Sequence, residues 1–360
     1  MKSAARYVAL DGADKLAIVV CSDIAEYARG SSGEATQGAG AVALLIEEQP
    51  TLLEFDLARG GSASDYRGPD FRKPFVRYVG QTPSQHGQIR DFPVFNGKYS
   101  TSCYLDETLL AMADLFAKCS TSIERWNATA AAFLHRPYRR MAETGLAATY
   151  LLALARGGAT ERDALTRLAG EADVEPAALI AELTGCPQLY DRVVAGESND
   201  DAYRITHAAL RALRRLPLFE TEILNRMRFG EASIEHCGNL YTASMPGWLA
   251  AGLEDAAQSG ALDDGADILA FGYGSGDAAE VVPMRLVPSW RGAAARIGFA
   301  AALDGAIDLD QGGYEQLHDT LDVAQPAEPR AATFVIDRVG ERRTTSSLDD
   351  HGIEYYRFVR

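Results

Sequence analysis

The chain has 360 residues, of which 47% are hydrophobic, and a formal net charge of −15. At about 150 residues per domain this length gives two domains or one large one, with about three quarters of the surface buried and no staples needed. The negative balance excludes non-specific nucleic-acid binding, which needs clustered Lys and Arg, and disfavours an anionic membrane surface.

Ser3 to Leu10 has helical spacing, and Leu16-Ala-Ile-Val-Val-Cys21 is a continuous apolar run that predicts a strand buried on both faces. A Gly- and Ser-rich loop from Gly30 to Gly40 leads into Gly38-Ala-Gly-Ala-Val-Ala-Leu-Leu-Ile46, a second buried strand. Its small first half allows another backbone to approach closely. Leu52 to Asp56 is a third, shorter strand, and Arg59 to Lys98 is a long polar loop rich in aromatics and proline. A loop of that length in a compact core is a functional one.

Thr101 to Lys118 then reads as a helix. Ala128 to Leu134 is a strand ending at His135, and Pro137 opens a helix that runs to Leu154. From Thr160 to Arg228 the pattern is helical throughout. Gly238-Asn239 sits before a run of helical spacing, Leu240, Ser244, Trp248, Leu249 and Leu253, which puts Asn239 at a helix entrance. Ala266 to Gly276 and Ala279 to Val287 form a hairpin with a glycine-rich connection, and Thr333 to Val339 and Glu354 to Val359 are late strands. Strands alternating with helices imply α/β architecture.

The five cysteines, Cys21, Cys103, Cys119, Cys186 and Cys237, are odd in number and lack CxxC spacing. They point to free thiols in a reducing, cytoplasmic setting and to no metal site. No apolar run reaches ~18 residues, so no membrane span is expected.

Four stretches can carry chemistry. His135 stands where a strand gives way to a helix, the place an α/β protein keeps its ligand site. A neutral imidazole there accepts a proton or donates to an oxyanion; the alternative is a structural histidine. His236 is a second candidate, whereas His86, His207, His318 and His351 lie in polar or helical, surface-like contexts. Asn239 offers its amide to a ligand, or only caps a helix. Gly274-Ser275-Gly276 and Gly33-Glu-Ala-Thr-Gln-Gly38 can present backbone N–H groups to a carbonyl oxygen, or simply turn the chain.

Taken in order, the motifs resemble those of the hydroxymethylglutaryl-CoA synthase family of the thiolase superfamily. They are Val20-Cys-Ser-Asp-Ile-Ala-Glu-Tyr-Ala28, Gly33 to Ala43, Pro69-Asp-Phe-Arg-Lys-Pro74 and Phe92 to Ser100 with Cys103-Tyr-Leu105. Leu134-His-Arg-Pro-Tyr138, Gly238-Asn-Leu-Tyr-Thr-Ala-Ser244 and Gly272-Tyr-Gly-Ser-Gly276 follow. The resemblance implies a thiolase-like, layered αβαβα fold whose N-terminal half is truncated and which carries a helical insertion. Residues 1–130 would be the remnant of the N-terminal half with its long loop. Residues 131–360 would be the C-terminal half, with the insertion at about 160–228.

The resemblance also implies an activity, the Claisen-type condensation of acetyl-CoA with acetoacetyl-CoA or a related β-ketoacyl thioester, with CoA thioesters as substrates and no separate cofactor. His135 takes the family's catalytic histidine position and Asn239 that of its supporting asparagine. Ser275 would help hold the acyl carbonyl, while Thr36, Asp23 and Asp70 match positions near the acyl or pantetheine end. Tyr241 falls on the substrate side as well. Arg140 stands in place of a lysine near CoA and keeps its charge. The family's nucleophilic cysteine and its glutamate base lie upstream of the helix that opens this chain. The expectation is that the chain as written does not complete the condensation alone. Its partner would be a second copy or a full-length homologue.

Overall fold

The centre of the fold is the hairpin predicted at the glycine turn. In the computed structural model, which describes residues 1–10, 14–68, 70–72, 92–197, 202–275, 278–320, 333–341, 350–351 and 353–359, strands Asp267–Gly274 and Ala278–Leu286 pair antiparallel from Asp267↔Arg285 to Gly274↔Ala278. Gly276 of the predicted turn lies outside the described residues, as do Pro69, Pro74 and His86 of the long loop. The chain divides into two units, one of residues 1–82 and 89–304 and the other of residues 83–88 and 305–360.

In the first unit the elements run α1 (Lys2–Leu10), β1 (Ala17–Ala25), β2 (Gly38–Ile46), β3 (Leu53–Phe55), β4 (Gly61–Ser64), β5 (Phe71–Arg72), β6 (Val94–Phe95), α2 (Gly97–Cys119), β7 (Thr129–Leu134) and α3 (Arg139–Ala155). The helices of the predicted insertion follow: α4 (Ala159–Glu171), α5 (Pro176–Thr184), α6 (Leu189–Val194) and α7 (Arg204–Leu213). The unit continues with α8 (Glu231–Glu235), α9 (Ser244–Ser259), β8 (Asp267–Gly274) and β9 (Ala278–Leu286).

The main sheet has β7 parallel to β8, β8 antiparallel to β9, and β3 and β4 both paired with β9. Side chains alternate across a strand, so helices can cover both faces. Phe133 of β7 points to α9, where its ring meets Trp248 edge-on with centroids 6.1 Å apart. Tyr273 of β8 points the other way and meets Tyr104 of α2 at 4.9 Å. Gly252 lets α9 settle on the sheet, because a Cβ there would come within 2.2 Å of the Phe133 ring. Gly61 does the same for β4 against α2, where a Cβ would lie 2.0 Å from the Ala111 carbonyl oxygen.

β1 and β2 form a separate antiparallel ribbon in register from Ala17↔Ile46 to Ala25↔Gly38. Burial on both faces was expected of these strands and is not found. Ile18, Val20 and Ile24 are exposed, with Leu45 opposite Ile18. Only the alternate face, with Val19 and Leu44, packs with Ala5 and Val8 of α1. A continuous apolar run does not distinguish a strand covered on two sides from one covered on one. Within the long loop, the described residues include β4 and the short pair β5–β6.

The second unit holds a helix, Gln311–Thr320, and the antiparallel strands Thr333–Val339 and Glu354–Val359, with an irregularity between Ile336 and Arg338. Among the described residues no helix is long and apolar enough to cross a membrane. All five cysteines are free thiols.

Candidate active site

His135 follows directly on β7, and three hydrogen bonds fix its backbone. Its N–H donates to the Phe271 carbonyl at 2.8 Å, extending the parallel ladder by one rung. Its carbonyl accepts from the Tyr104 hydroxyl at 2.9 Å. The next N–H, of Arg136, donates to Ser244 Oγ at 2.8 Å, while the Arg136 guanidinium lies 5.0 Å from the Trp248 ring centre. The half-buried ring of His135 forms a hydrogen bond with the backbone of Tyr241. Burial pushes the imidazole pKa down to about 4, a drop that the Tyr241 bond only partly opposes. The ring is therefore neutral at physiological pH, able to take up a proton or to donate its own N–H.

Tyr241 is held in turn by Asn239. The buried Asn239 side chain accepts from the Tyr241 N–H at 3.0 Å and donates to the Tyr27 hydroxyl at 3.4 Å. Asn239 was expected at the entrance of the long helix. Its side chain accepts from the first N–H of a 3-10 turn, Tyr241–Ala243, which runs directly into α9 at Ser244. Just before Asn239, Gly238 has a φ of +66, which turns the chain in a way L side chains rarely adopt.

Two glycines then allow the Thr36 loop to reach this turn. A Cβ on Gly38 would lie 2.1 Å from the Cys237 carbonyl oxygen, and one on Gly238 would lie 1.9 Å from the Gln37 carbonyl oxygen. The close approach predicted for the small end of β2 is thus realised against Asn239, whose N–H donates to the Thr36 carbonyl at 2.8 Å.

On the other side of His135 lies Tyr273, with ring centroids 5.8 Å apart. Its hydroxyl donates to Asp70 Oδ2 at 2.7 Å, and burial and the Asp70 charge push its phenol well above the ordinary range. Ser275 hydrogen-bonds the same phenol through its side chain, and its carbonyl accepts from Arg72 at 2.5 Å. Phe71 stacks edge-on against Tyr241 at 5.7 Å.

Contacts therefore link Thr36, Asn239, Tyr241, His135, Asp70 and Ser275 into one cluster. Asp23 sits at its rim, where its carboxylate accepts from Thr242 Oγ1 at 3.2 Å. Arg140 is not brought in. It is exposed on the first turn of α3, and no contact among the described residues joins it to His135. Tyr27, Phe71, Arg72, Tyr104 and Tyr273 are members the sequence did not single out, although all five lie within motifs quoted for the resemblance.

Cys237, two positions before Asn239, turns its thiol back to the Ser233 carbonyl at 3.7 Å, and burial raises its pKa. That suits a structural thiol, since the reactive species is the thiolate. A recess of about 870 Å³ lies elsewhere, against Val8, Leu44, Ile46, Leu249 and Phe299. None of the cluster residues lines it.

No protein-family model matches the chain. Among curated proteins it is similar to the hydroxymethylglutaryl-CoA synthase of Enterococcus faecalis, 26% identical over 310 residues that cover 86% of this chain and 59% of that protein. The mitochondrial hydroxymethylglutaryl-CoA synthase of Sus scrofa is 27% identical over 289 residues, covering 76% of this chain and 47% of its own length. A 100-residue stretch is 39% identical to the enzyme of Haloferax volcanii, covering 28% of this chain and 19% of that one. The chain thus spans less than two thirds of each of these relatives.

The fold is that of MvaS in complex with 3-hydroxy-3-methylglutaryl coenzyme A, with a TM-score of 0.69 at 23% identity, covering 100% of this chain and 71% of that one. It is similarly that of PksG of Bacillus subtilis, with a TM-score of 0.63 at 16% identity and the same coverage of 100% and 71%. Both neighbours share the mixed α/β arrangement, with a central sheet and flanking helices, that the motifs implied.

Proposed function

The chain belongs to the hydroxymethylglutaryl-CoA synthase family, with its thiolase-like fold, and from that premise we propose that it carries the histidine–asparagine half of an acyl-CoA condensing site. The reaction is a Claisen-type condensation of acetyl-CoA with acetoacetyl-CoA or a related β-ketoacyl thioester. The observation that carries this reading is the linked set of His135, Tyr241 and Asn239. A neutral imidazole is locked to a backbone that a buried carboxamide holds in turn.

A group of this kind can donate to the acceptor's carbonyl oxygen as negative charge develops, and can return a proton later. Ser275 and Thr36 line the acyl end, with Asp70, Tyr241 and Asp23 around the pantetheine approach and Arg140 on the CoA side. An acyl-enzyme needs an activated nucleophile. The thiol nearest in sequence to Asn239, Cys237, is protonated and turned away. Cys237 is therefore not read as the acyl-carrying nucleophile. Free thiols suit a reducing, cytoplasmic setting.

The uncovered apolar face of β1–β2, with Ile18, Val20, Ile24 and Leu45, favours a second reading. In it the chain is a non-catalytic acyl-CoA-binding or scaffold subunit, paired with a second copy or with a cysteine-bearing homologue. Incubation with radiolabelled acetyl-CoA tests both. Retention of label without a covalent bond, lost in Asn239→Ala, is the expected result. A chain that retains no label sinks the acyl-CoA site altogether, and stable label on one of the five cysteines rejects the scaffold reading.

A further inference from the structure

A second buried polar cluster lies outside the site and touches it through one loop. Arg67, only 1% exposed, donates Nε to Asp106 at 3.1 Å, and its two terminal nitrogens pair with Asp106 and Glu107. Asp106 and Glu107 are themselves buried on α2. Arg67 also donates to the Asp65 carbonyl at 3.1 Å. The Tyr203 hydroxyl donates to the other oxygen of Asp106. Tyr203 immediately precedes α7 in the helical insertion.

The insertion grips the same loop a second time. The Tyr190 ring of α6 meets Tyr66 edge-on at 4.7 Å and lies where a Cβ on Gly68 would come within 2.5 Å. Gly68 has a φ of +67, so both its conformation and its lack of a side chain are required. The Tyr99 hydroxyl secures the Arg67 carbonyl from α2.

Immediately beyond come the residues that touch the candidate site. Asp70 takes the Tyr273 hydroxyl, Phe71 stacks on Tyr241, and Arg72 holds the Ser275 carbonyl. Arg67 touches none of the site residues through its side chain in the contacts above. Its fork, with three groups locked to it, fixes where the following residues start.

We propose that Arg67 is a positioning residue, which through Asp106, Glu107 and Tyr203 couples the helical insertion to the loop that closes the His135 site. Acyl-thioester binding then depends on an ionic clamp remote from the thioester. Lysine is a poor substitute, because a point charge cannot fork onto Asp106 and reach Glu107 together. The inference rests on the acyl-CoA reading of the site only for its ligand. The loop anchoring stands on the contacts alone.

The test uses the full chain and the variants Arg67→Lys and Tyr203→Phe, with two readouts. One is amide hydrogen exchange of the 65–72 segment against α3, and the other is calorimetric titration with acetyl-CoA. In Arg67→Lys the expected result is about tenfold faster exchange in 65–72, with α3 unchanged and an acetyl-CoA Kd raised about tenfold. Tyr203→Phe, which removes a single hydroxyl, falls between wild type and Arg67→Lys and carries the test alone if Arg67→Lys does not fold. Loop exchange that stays at the wild-type rate, or that rises equally in α3, overturns the proposal. Faster loop exchange with unaltered acetyl-CoA affinity overturns the coupling to binding. A wild-type chain that binds no acetyl-CoA removes the acyl-CoA reading instead, while the exchange arm still decides whether Arg67 anchors the loop.

Discussion

Two buried polar regions stand on either side of the loop at residues 65–72, and they are built from opposite materials. Around His135 the polar groups that reach the ring are neutral: a backbone turn held by Asn239, with the phenol of Tyr273 alongside. Around Arg67 they are ionic, one guanidinium facing Asp106 and Glu107, with Asp65 at 4.0 Å. A reactive imidazole must change protonation state, so a neighbouring fixed charge would bias it permanently. An anchor does not need to change state, and a forked guanidinium, which stays charged at any ordinary pH, is suited to that. The comparison assigns chemistry to the first region and fixation to the second.

The largest effect that tests this contrast is Arg67→Met. Removing one partner of a buried pair leaves the other charges uncompensated, and such losses run to about 3–5 kcal/mol. Urea unfolding should show a fall of that size. A loss below about 1 kcal/mol would mean that Asp106 and Glu107 find water or protons easily, and the region is then no anchor. Asn239→Ala comes next. It strands the half-buried Tyr241 N–H and removes one partner of the Tyr27 hydroxyl, which costs about 1–3 kcal/mol. The same unfolding assay should rank it below Arg67→Met.

Much of the neutral region was legible in the sequence because it is assembled from short motifs at the ends of strands. His135 was placed at the end of β7 by local pattern, Thr36 and Ser275 were named through the resemblance, and contacts link the three. Asn239 was read at a helix entrance, but helical spacing from Leu240 onward does not reveal that the first turn, Tyr241–Ala243, is 3-10. Arg140 entered through the resemblance as a residue near CoA, and it stands exposed on the first turn of α3. The ionic region was not legible at all. Arg67 and Asp106 are 39 positions apart, and a mid-helix Asp-Glu pair reads as a solvated face. Only α2, buried around most of its circumference, makes that pair expensive and so demands a cation. Ile18 and Val20 failed for a related reason, since an apolar run shows affinity for a cover without showing whether a cover is there.

Acidity separates the two regions more finely. Burial pushes the Glu107 carboxyl up to about 7, despite the opposing Arg67 charge and helped by that of Asp106. Its folded value lies above the unfolded one, so its contribution is present at low pH and is lost as pH rises through about 7. His135 is displaced the other way, to about 4, so its contribution is present above its unfolded value and is lost as pH falls towards about 4. In wild type the two trends oppose each other between pH 4.5 and 6.5. Relative to wild type, Glu107→Gln should tilt the stability profile so that stability rises with pH, and His135→Asn should tilt it the opposite way. Each tilt should be on the order of 1 kcal/mol across that window. Thermal melts across that range read the two slopes. Parallel tilts would mean that the regions are not separately titrated.

The smallest effect belongs to the rim. Asp23 lies half-exposed on β1, its carboxylate taking the Thr242 hydroxyl at 3.2 Å and the Ile24 N–H at 3.1 Å. Water replaces both bonds readily at the surface, so Asp23→Ala should cost no more than about 0.5 kcal/mol. Thr242 directly follows Tyr241, whose backbone holds the imidazole, so the substitution also asks whether the rim supports the ring. If the neutral region is self-sufficient, Asn239 alone keeps the turn in place, and the His135 titration followed by NMR stays at its wild-type midpoint in Asp23→Ala. A midpoint that moves by as much as in Asn239→Ala would extend the neutral region to the ribbon. The ribbon's open apolar face would then bear directly on the chemistry of His135.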